Sequence, residues 1–139
     1  MTRELIISLI MAISIELNVP PQFSLSIALE ENPTLNPLAV NLNENGTYDR
    51  GIMQLNSASF PNIDWKDPET NIRAGVGYIR FLMNRPEINT YYGVAVSYNT
   101  GLNRLGNPPK STIEYAIRVV NRYNNLMNGN APVVVRRGV

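Results

Sequence analysis

The sequence predicts a mainly α fold: a single domain with a helical core and one irregular or small β-like loop region. Three observations predict it. The chain has 139 residues, enough for one domain that buries its own core. Apolar residues recur at helical spacing in about five segments. One interruption, from residue 33 to about residue 65, is rich in asparagine and glycine, which favour turns.

The first predicted helix covers about residues 2–17. Its apolar residues share one helical face: Leu5, Ile6, Leu9, Ile10, Ile13 and Leu17. The apolar run ends at Glu16 after about a dozen residues, whereas a membrane-spanning helix needs roughly 20. We therefore interpret the segment as a core helix, although Arg3 followed by apolar residues is also the pattern of a signal peptide.

The second predicted helix begins at Pro20 and Pro21, because proline fits the first helical turn. It ends near Glu31, because Pro33 disfavours helical geometry in the residue before it.

The loop region is predicted to hold a short hairpin around Gly46 and a short helix over residues 52–59. After it, Asp67 and Pro68 predict the N-cap and first turn of a third helix. The apolar face of that helix comprises Ile72, Val76, Ile79, Leu82 and Met83. A fourth helix is predicted over residues 86–101, from a proline to a glycine.

The fifth predicted helix begins at Ser111 and Glu114, which fit a capping box, and ends at Gly129. Its predicted apolar face comprises Ile113, Ile117, Val120, Tyr123 and Met127. We assign residues 1–128 to the domain and residues 129–139 to a C-terminal tail. The tail is apolar and then basic, a pattern that fits disorder, an edge strand or a docking segment.

The composition excludes several kinds of chemistry, because the chain contains no histidine and no cysteine. Serine–histidine triads, thiolate nucleophiles, disulfides and zinc sites with histidine or cysteine ligands are ruled out. Any acid–base chemistry must use glutamate, aspartate, tyrosine or lysine. With 12 basic and 11 acidic residues the net charge is +1, which gives no electrostatic basis for binding nucleic acid.

Glu31 is the candidate acid–base residue. It ends the second predicted helix, with Ile27 and Ala28 at i−4 and i−3 on the same face. Apolar surroundings and the partial negative charge of a helix C-terminus both disfavour ionisation, so we expect a raised pKa for Glu31. A carboxyl group that is protonated near neutral pH is what a glycosidase acid must provide.

Glu30 is the alternative to Glu31. Its i−4 neighbour is Ser26, and it points about 100° away around the helix, so we expect it to be more solvated. On local features alone, the plainer interpretation of either glutamate is a surface carboxylate near a helix end.

The loop region partly fits a calcium-binding loop. Five residues occupy positions 1, 3, 5, 6 and 9 of the EF-hand pattern, namely Asn41, Asn43, Asn45, Gly46 and Asp49. Position 12 is Ile52, not the bidentate glutamate that the pattern requires. We therefore predict no metal site and no cofactor.

Five short motifs follow one another in order over most of the chain, from about residue 19 to residue 123. The first is Glu31 with Asn32 at a helix end, the second is Asn36-Pro37 with Ala39-Val40, and the third is Gly51-Ile52-Met53-Gln54-Leu55. The fourth is Asp67-Pro68 with Asn71, Ala74-Gly75 and Tyr78. The fifth is Tyr98-Asn99 with Gly101, Thr112 and Tyr115. In these motifs the sequence resembles the lytic transglycosylase catalytic domain of the goose-type lysozyme superfamily. It departs from the family in having Asn32 in place of a serine. It also has one extra residue before Asn36-Pro37, which leaves a register on Glu30 open.

The resemblance implies a lysozyme-like fold and a substrate. The substrate is the β-1,4 bond between N-acetylmuramic acid (MurNAc) and N-acetylglucosamine (GlcNAc) in peptidoglycan. Glu31 is implied as general acid and then base, giving a 1,6-anhydromuramyl product without water and without a second carboxylate. Tyr115 would orient Glu31 or stabilise developing charge. The sugar-binding groove would be lined by Met53, Gln54, Tyr98 and Asn99.

Asp49 leaves a hydrolytic alternative open, because goose-type hydrolases place acidic residues in this region to position water. If it faces Glu31, an inverting muramidase results, with carboxyl groups roughly 6.5–9.5 Å apart. The plainer interpretation of Asp49 is an Asp–Arg or turn contact that shapes the loop. An inactive peptidoglycan-binding structural module is a further alternative.

The expected partners follow in part from the resemblance, which implies peptidoglycan glycan strands. The absence of an evident export signal fits a phage or secretion-machinery partner, the charge balance predicts no nucleic acid, and the short apolar run predicts no membrane span. We expect a monomer. No clear signal peptide is present, so action in the cell envelope (periplasmic or extracellular) and association with a phage are both open.

Overall fold

The computed structural model describes residues 1–136, which contain five α-helices, one short 3-10 helix and a small sheet. In chain order these are α1 (Arg3–Glu16), α2 (Pro21–Glu31), β1 (Val40–Leu42), β2 (Tyr48–Arg50), β3 (Leu55–Asn56), α3 (Pro68–Met83), α4 (Tyr91–Thr100), the 3-10 helix (Leu102–Arg104) and α5 (Lys110–Leu126). The predicted mainly α fold with a small β region is confirmed. None of the helices in the described chain has the length and apolar character needed to cross a membrane.

The backbone divides into two compact units, Met1–Gly77 and the chain from Tyr78 onward. α1 packs against α2 in the first unit, and α4 packs against α5 in the second. The assignment of one domain to residues 1–128 and of a tail to residues 129–139 stays a prediction.

The first helix is a core helix, as predicted. Ile6, Ile10 and Ile13 are buried, whereas Leu5 of the predicted face is exposed. The Thr2 hydroxyl caps the helix by accepting a hydrogen bond from the Leu5 backbone N–H at 3.2 Å. The three buried isoleucines lie on the face that α1 turns toward the core of the first unit.

α2 has the predicted bounds. Pro21 occupies its first turn, and every residue from Phe23 to Leu29 is buried. Asn32 ends the helix with φ −149° and ψ 81°, outside the helical region, as expected for the residue before Pro33. The prolines at its two ends therefore fix where Glu31 lies.

The sheet forms the predicted hairpin and adds a third strand. β1 pairs antiparallel with β2, and β2 pairs antiparallel with β3. In the turn, Asn45 Oδ1 accepts hydrogen bonds from the Thr47 N–H and hydroxyl at 3.0 and 2.7 Å. Asn43 Nδ2 donates to the Thr47 hydroxyl at 3.1 Å. Asparagines that counted toward the EF-hand pattern thus build a turn.

The predicted short helix over residues 52–59 is wrong. Leu55 and Asn56 form β3 opposite Arg50 and Asp49. Gln54, just before them, has φ +54°, a left-handed conformation that interrupts a helix.

The third helix follows the prediction at its start and on its apolar face. Asp67 Oδ2 accepts hydrogen bonds from the Thr70 N–H at 2.9 Å and from its hydroxyl at 2.7 Å. The predicted face, Ile72, Val76, Ile79, Leu82 and Met83, is buried throughout. The hydrogen bonds from the Thr70 hydroxyl and backbone lower the pKa of Asp67 below its ordinary value of 3.8.

Asp67→Asn is expected to lower Tm at about pH 7 and to have no effect at about pH 2. The folded-state pKa of Asp67 is depressed, so its charge stabilises the fold above the unfolded pKa of 3.8. That contribution is lost as the pH falls through the lower folded pKa. Thermal unfolding followed by circular dichroism across this range measures the difference. Asp64→Asn is the matched control, and an equal pH-dependent loss in both variants would contradict the cap.

The predicted start of the fourth helix at residue 86 is wrong, because α4 begins at Tyr91. Thr90 is extended, and its hydroxyl caps the helix by accepting from the Gly93 N–H at 3.0 Å. The backbone of Thr90 also forms a β-bridge with Val134. The predicted end is confirmed at Gly101, where φ is +90°.

The predicted capping box at Ser111 and Glu114 is wrong. α5 follows Pro109, and its N-cap makes no side-chain hydrogen bond in the described chain. Glu114 instead lies 4.0 Å from the Lys110 ammonium group as an exposed i,i+4 ion pair. The helix ends at Leu126, three residues before the predicted Gly129.

The predicted apolar face of α5 is also wrong in large part. The buried residues are Thr112, Tyr115, Ala116, Val119 and Tyr123, so Tyr123 alone is shared with the prediction. Ile117 is 46% exposed. Polar Thr112 and small Ala116 hold buried positions that a count of apolar residues assigns to solvent.

The described part of the predicted tail docks onto the second unit. The Val135 N–H donates to the Asn89 carbonyl at 2.9 Å, and the Tyr91 N–H donates to the Val133 carbonyl at 3.1 Å. Val135 is buried, while Val133 and Val134 are exposed. Of the three alternatives, the antiparallel bridge between Thr90 and Val134 favours the edge strand for these residues. The last three residues of the predicted tail, 137–139, lie outside the described residues.

Candidate active site

Glu31 is the last residue of α2, one turn beyond two fully buried residues, Ile27 and Ala28. Its side chain is half-buried, and so is that of Glu30. The last turn of α2 contains no basic residue, so no cation on the helix offsets the partial negative charge of its C-terminus. Burial does not separate Glu31 from Glu30, and the assignment of Glu31 stays a prediction.

Asn32 organises the turn that follows Glu31. Its buried side-chain amide donates to the Asn36 carbonyl at 2.9 Å and to the Gly51 carbonyl at 3.2 Å. Its Oδ1 accepts from the Asn36 N–H at 3.3 Å. The end of α2 is thereby attached to the loop that begins at Gly51. A serine hydroxyl at this position would have one hydrogen to donate, whereas the amide of Asn32 has two.

Two residues near this contact have left-handed backbone conformations. Leu35 has φ +53° and is buried, and Gln54 has φ +54°. Such conformations cost about 1–3 kcal/mol in residues other than glycine and tend to occur at functional sites. The strained segments therefore mark the turn after Glu31 and the loop after β2 as candidate functional loops.

Asn71 of α3 holds the loop that contains Gly51. Its Oδ1 accepts from the Met53 N–H at 2.8 Å, and its Nδ2 donates to the Arg50 carbonyl at 3.1 Å and to the Trp65 carbonyl at 3.0 Å. Asn71 is fully buried. Gly51 has φ +78°, and a Cβ there would collide with Asn71 Nδ2 and with the Trp65 carbonyl oxygen. Glycine is required because the loop backbone passes against this amide.

Met53 and Gln54 are both buried in the first unit. Met53 packs on Gly75, where a Cβ would lie 2.6 Å from the Met53 Cβ and Cγ. Gln54 Nε2 donates to the Gly51 and Ala39 carbonyls at 2.9 and 3.3 Å, and its Oε1 accepts from Asn41 Nδ2 at 2.7 Å. Both side chains therefore shape the loop, and their predicted contact with substrate stays a prediction.

Asp49 lies in β2, the central strand, opposite Asn41 on one side and Asn56 on the other. Its half-buried carboxylate accepts from Asn56 Nδ2 at 3.1 Å. Of the two contacts named in the plainer interpretation, an Asp–Arg contact or a turn contact, the ion pair with Arg50 is not formed: Arg50 Nη2 donates to the Phe60 carbonyl at 3.1 Å. Among residues 1–136, no cluster of three or more acidic side chains is arranged to hold a metal ion.

Tyr98, Asn99 and Tyr115 belong to the second unit. The Thr112 hydroxyl donates to Asn99 Oδ1 at 2.6 Å and thereby joins α4 to α5. Tyr115 follows Thr112 by three residues on the same helical face and is buried. The Tyr98 ring lies 5.5 Å from the ring of Tyr78, whose phenol pKa is raised by burial. Within this unit Asn99 lies at the α4–α5 contact through Thr112, whereas the Tyr98 ring contacts Tyr78 of α3.

Sequence reasoning missed the residues that fix the loop. Asn32 and Asn71 fall in motifs of the family and Asn41 falls in the EF-hand pattern, but none of these patterns indicates the hydrogen bonds that the three side chains make. One signal was present for Asn71. It precedes Gly75 by one turn on a buried helical stripe, where a polar side chain needs a hydrogen-bonding partner.

The fold is mainly α with a small antiparallel sheet. A glutamate ends a helix, and the residue after it is hydrogen-bonded to the loop after the hairpin. Together these features define a lysozyme-like protein. The chain belongs to the transglycosylase SLT domain family, whose model matches residues 8–121. The resemblance is confirmed, and membership gives the chain a lysozyme-like function on peptidoglycan in general. All predicted site residues lie within the matched range. A comparison with curated proteins found no significant match.

Proposed function

We propose that the protein is a peptidoglycan lytic transglycosylase. It cleaves the MurNAc–GlcNAc β-1,4 bond and leaves a 1,6-anhydromuramyl end, with Glu31 as general acid and then general base. The roles of Tyr115, Tyr98, Asn99, Met53 and Gln54 are carried forward from the resemblance as part of this proposal.

The proposed reaction needs one carboxyl group used twice. Glu31 donates its proton to the glycosidic oxygen, so that the bond to C1 of MurNAc breaks and GlcNAc leaves with a free 4-hydroxyl. The resulting carboxylate accepts the proton of the MurNAc 6-hydroxyl while O6 bonds to C1. The proton balance closes on Glu31, and water is neither consumed nor released.

One observation carries the proposal: the hydrogen bond from Asn32 to the Gly51 carbonyl at 3.2 Å. It attaches the residue next to Glu31 to the loop of residues 51–55, which carries one of the five motifs that resemble the family. Asn71 and Gln54 fix the same loop from two further directions. A catalytic carboxyl group needs such a rigid frame, because misplacement by about 1 Å can cost about 100-fold in rate.

A hydrolytic muramidase that uses Glu31 with Asp49 is the second candidate. Asp49 is half-buried in the same unit, and the hydrogen bond that it accepts from Asn56 occupies one carboxylate oxygen. The other oxygen makes no hydrogen bond within residues 1–136. A carboxylate with an unused acceptor can bind and activate a water molecule.

Product analysis separates the two candidates. Purified peptidoglycan is digested with the protein, and the soluble fragments are analysed by mass spectrometry. We expect muramyl ends that are lighter than reducing ends by one water. If only reducing ends are found, the reaction is hydrolysis and not transglycosylation. In that case Asp49→Asn should abolish activity. Binding to peptidoglycan without any cleavage would contradict both enzymes and leave an inactive binding module.

A further inference from the structure

Trp65 has two cationic side chains next to its indole ring. The Arg50 guanidinium carbon lies 5.5 Å from the ring centroid, and the Lys66 ammonium nitrogen lies 5.4 Å from it. Both distances are within the range of cation–π attraction, about 6 Å. Trp65 is the single tryptophan of the chain, and Lys66 is one of its two lysines. We call Arg50, Trp65 and Lys66 the cationic cluster.

The cationic cluster is held in place by the backbone. Asn71 Nδ2 donates to the carbonyls of Arg50 and Trp65, so one buried amide ties together the two segments that carry the cluster. Arg50 Nη2 donates to the Phe60 carbonyl at 3.1 Å and fixes one side of the guanidinium group. The arrangement is therefore pre-organised, which lowers the entropic cost of binding a ligand.

The charges of the cationic cluster are not neutralised within residues 1–136. Neither Arg50 nor Lys66 forms an ion pair there. The nearest acidic residues along the chain are Asp49, Asp64 and Asp67. Asp49 accepts a hydrogen bond from Asn56 and Asp67 accepts from Thr70, and neither forms an ion pair with the cluster within residues 1–136. Arg50 Nε is buried and makes no hydrogen bond in the described chain. A partly desolvated guanidinium group without a counter-charge is unfavourable, and an anion bound there would relieve that cost.

The cationic cluster is adjacent along the chain to the loop that is hydrogen-bonded to Asn32, the neighbour of the proposed catalytic residue Glu31. Arg50 precedes Gly51, and the Gly51 carbonyl accepts the hydrogen bond from Asn32, the neighbour of Glu31. An anion at the cluster would therefore lie close along the backbone to the residues that the proposed function places at the glycan.

We propose that the cationic cluster binds a carboxylate of the peptide stem that the muramyl residues of peptidoglycan carry. The proposal rests on peptidoglycan as the substrate. A carboxylate matches the remaining donors of the Arg50 guanidinium group and the ammonium group of Lys66. The bare glycan has no such group, since its sugars are neutral apart from the lactyl carboxyl group to which the stem is attached. The cluster thus recognises stem-bearing strands.

The test measures binding rather than cleavage. The protein is titrated with GlcNAc-MurNAc-tripeptide and with GlcNAc-MurNAc whose lactyl carboxyl group is amidated. Neither disaccharide contains the MurNAc–GlcNAc bond, so the proposed enzyme cannot consume it. The indole N–H resonance of Trp65 reports on the cluster. We expect it to shift with the tripeptide ligand only, and we expect Lys66→Gln to weaken that binding about fivefold.

Matched variants make the result specific. Lys110→Gln removes the same charge from an exposed lysine of the second unit and is expected to leave the affinity unchanged. Lys66→Arg should keep most of the affinity, and Arg50→Gln should weaken it about tenfold. Lys66→Gln tests the proposal even if Arg50→Gln unfolds, because Lys66 is exposed.

Equal binding of both disaccharides, no response of Trp65, or equal effects of Lys66→Gln and Lys110→Gln would overturn the subsite. A response to inorganic phosphate but not to the tripeptide ligand would also overturn it and assign the cluster to phosphate. Selective binding of the tripeptide ligand by a protein that yields no cleavage products would retain the subsite and reject the proposed enzyme. The two proposals therefore fail separately.

Discussion

Glu31→Gln is expected to lower the rate of peptidoglycan solubilisation by about 10³-fold or more. The amide has nearly the shape of the carboxylic acid but cannot give a proton to the glycosidic oxygen or accept one from the MurNAc 6-hydroxyl. Because Glu31 is half-buried at the end of α2 and lies outside the core, Tm should change little. The measurement is the release of soluble muropeptides from purified peptidoglycan, with circular dichroism as the check on folding.

Glu30→Gln is the matched control for this prediction. Glu30 is the neighbouring residue, is also half-buried and loses the same charge on substitution. We expect its activity to stay within about threefold of wild type, as for a surface change away from the chemistry. Full activity of Glu31→Gln together with loss of activity in Glu30→Gln would assign the general acid to Glu30. That assignment corresponds to the alternative register, which the extra residue before Asn36 leaves open.

The pH profile of peptidoglycan cleavage by the wild-type protein tests whether Glu31 acts as a general acid. The sequence predicts a raised pKa from the helix end and from apolar neighbours, and Ile27 and Ala28 are indeed fully buried. A general acid must be protonated to act, so the rate should fall as the pH rises through the pKa of Glu31. This limb should be absent in the residual activity of Glu31→Gln.

The helices that the sequence predicts well are those with strong local signals. Pro21 and Pro33 bracket α2, and Asp67 with Pro68 begins α3. Each signal acts within one turn of chain, so it can be interpreted without the fold. The position of Glu31 at a helix end depends on such signals, which is why it could be predicted.

The errors arise where distant parts of the chain decide the structure. Thr90 is held extended by its bridge to Val134, so α4 begins later than Pro86 suggests. On α5, Thr112 is buried because its hydroxyl binds Asn99, while Ile117 is left exposed. Apolar spacing cannot reveal a buried polar residue whose partner lies on another helix.

The candidate site shows the same division. The sequence selects Glu31 and the block of residues 51–55, but it does not reveal how they are connected. That connection is made by amide side chains, chiefly Asn32 and Asn71, over long stretches of chain. Asparagine favours turns, so its abundance in the loop region predicts an irregular loop. It does not predict which amides are buried and paired.

Asn71→Ala is expected to lower the free energy of unfolding by roughly 3 kcal/mol. The substitution removes three hydrogen bonds at once, and it leaves the Met53 N–H and the Arg50 and Trp65 carbonyls without their partner. It also opens a small cavity at a fully buried position. Urea unfolding at equilibrium, followed by far-UV circular dichroism, measures the loss. Asn84→Ala, at an exposed asparagine near the end of the same helix, should cost less than about 0.5 kcal/mol.

Asn71→Asp separates the effect of losing hydrogen bonds from the effect of losing side-chain volume, because aspartate and asparagine have nearly the same volume. Aspartate keeps an acceptor for the Met53 N–H but places a carboxylate oxygen against two carbonyl oxygens, so we expect a loss comparable to that of alanine. The fluorescence of Trp65 reports on the loop itself. If Asn71 chiefly fixes the loop, the Trp65 transition in either variant will precede the helical transition, and peptidoglycan cleavage will fall before the fold is lost. Coincident transitions with full activity of the folded variant would show that the loop keeps its geometry without this amide.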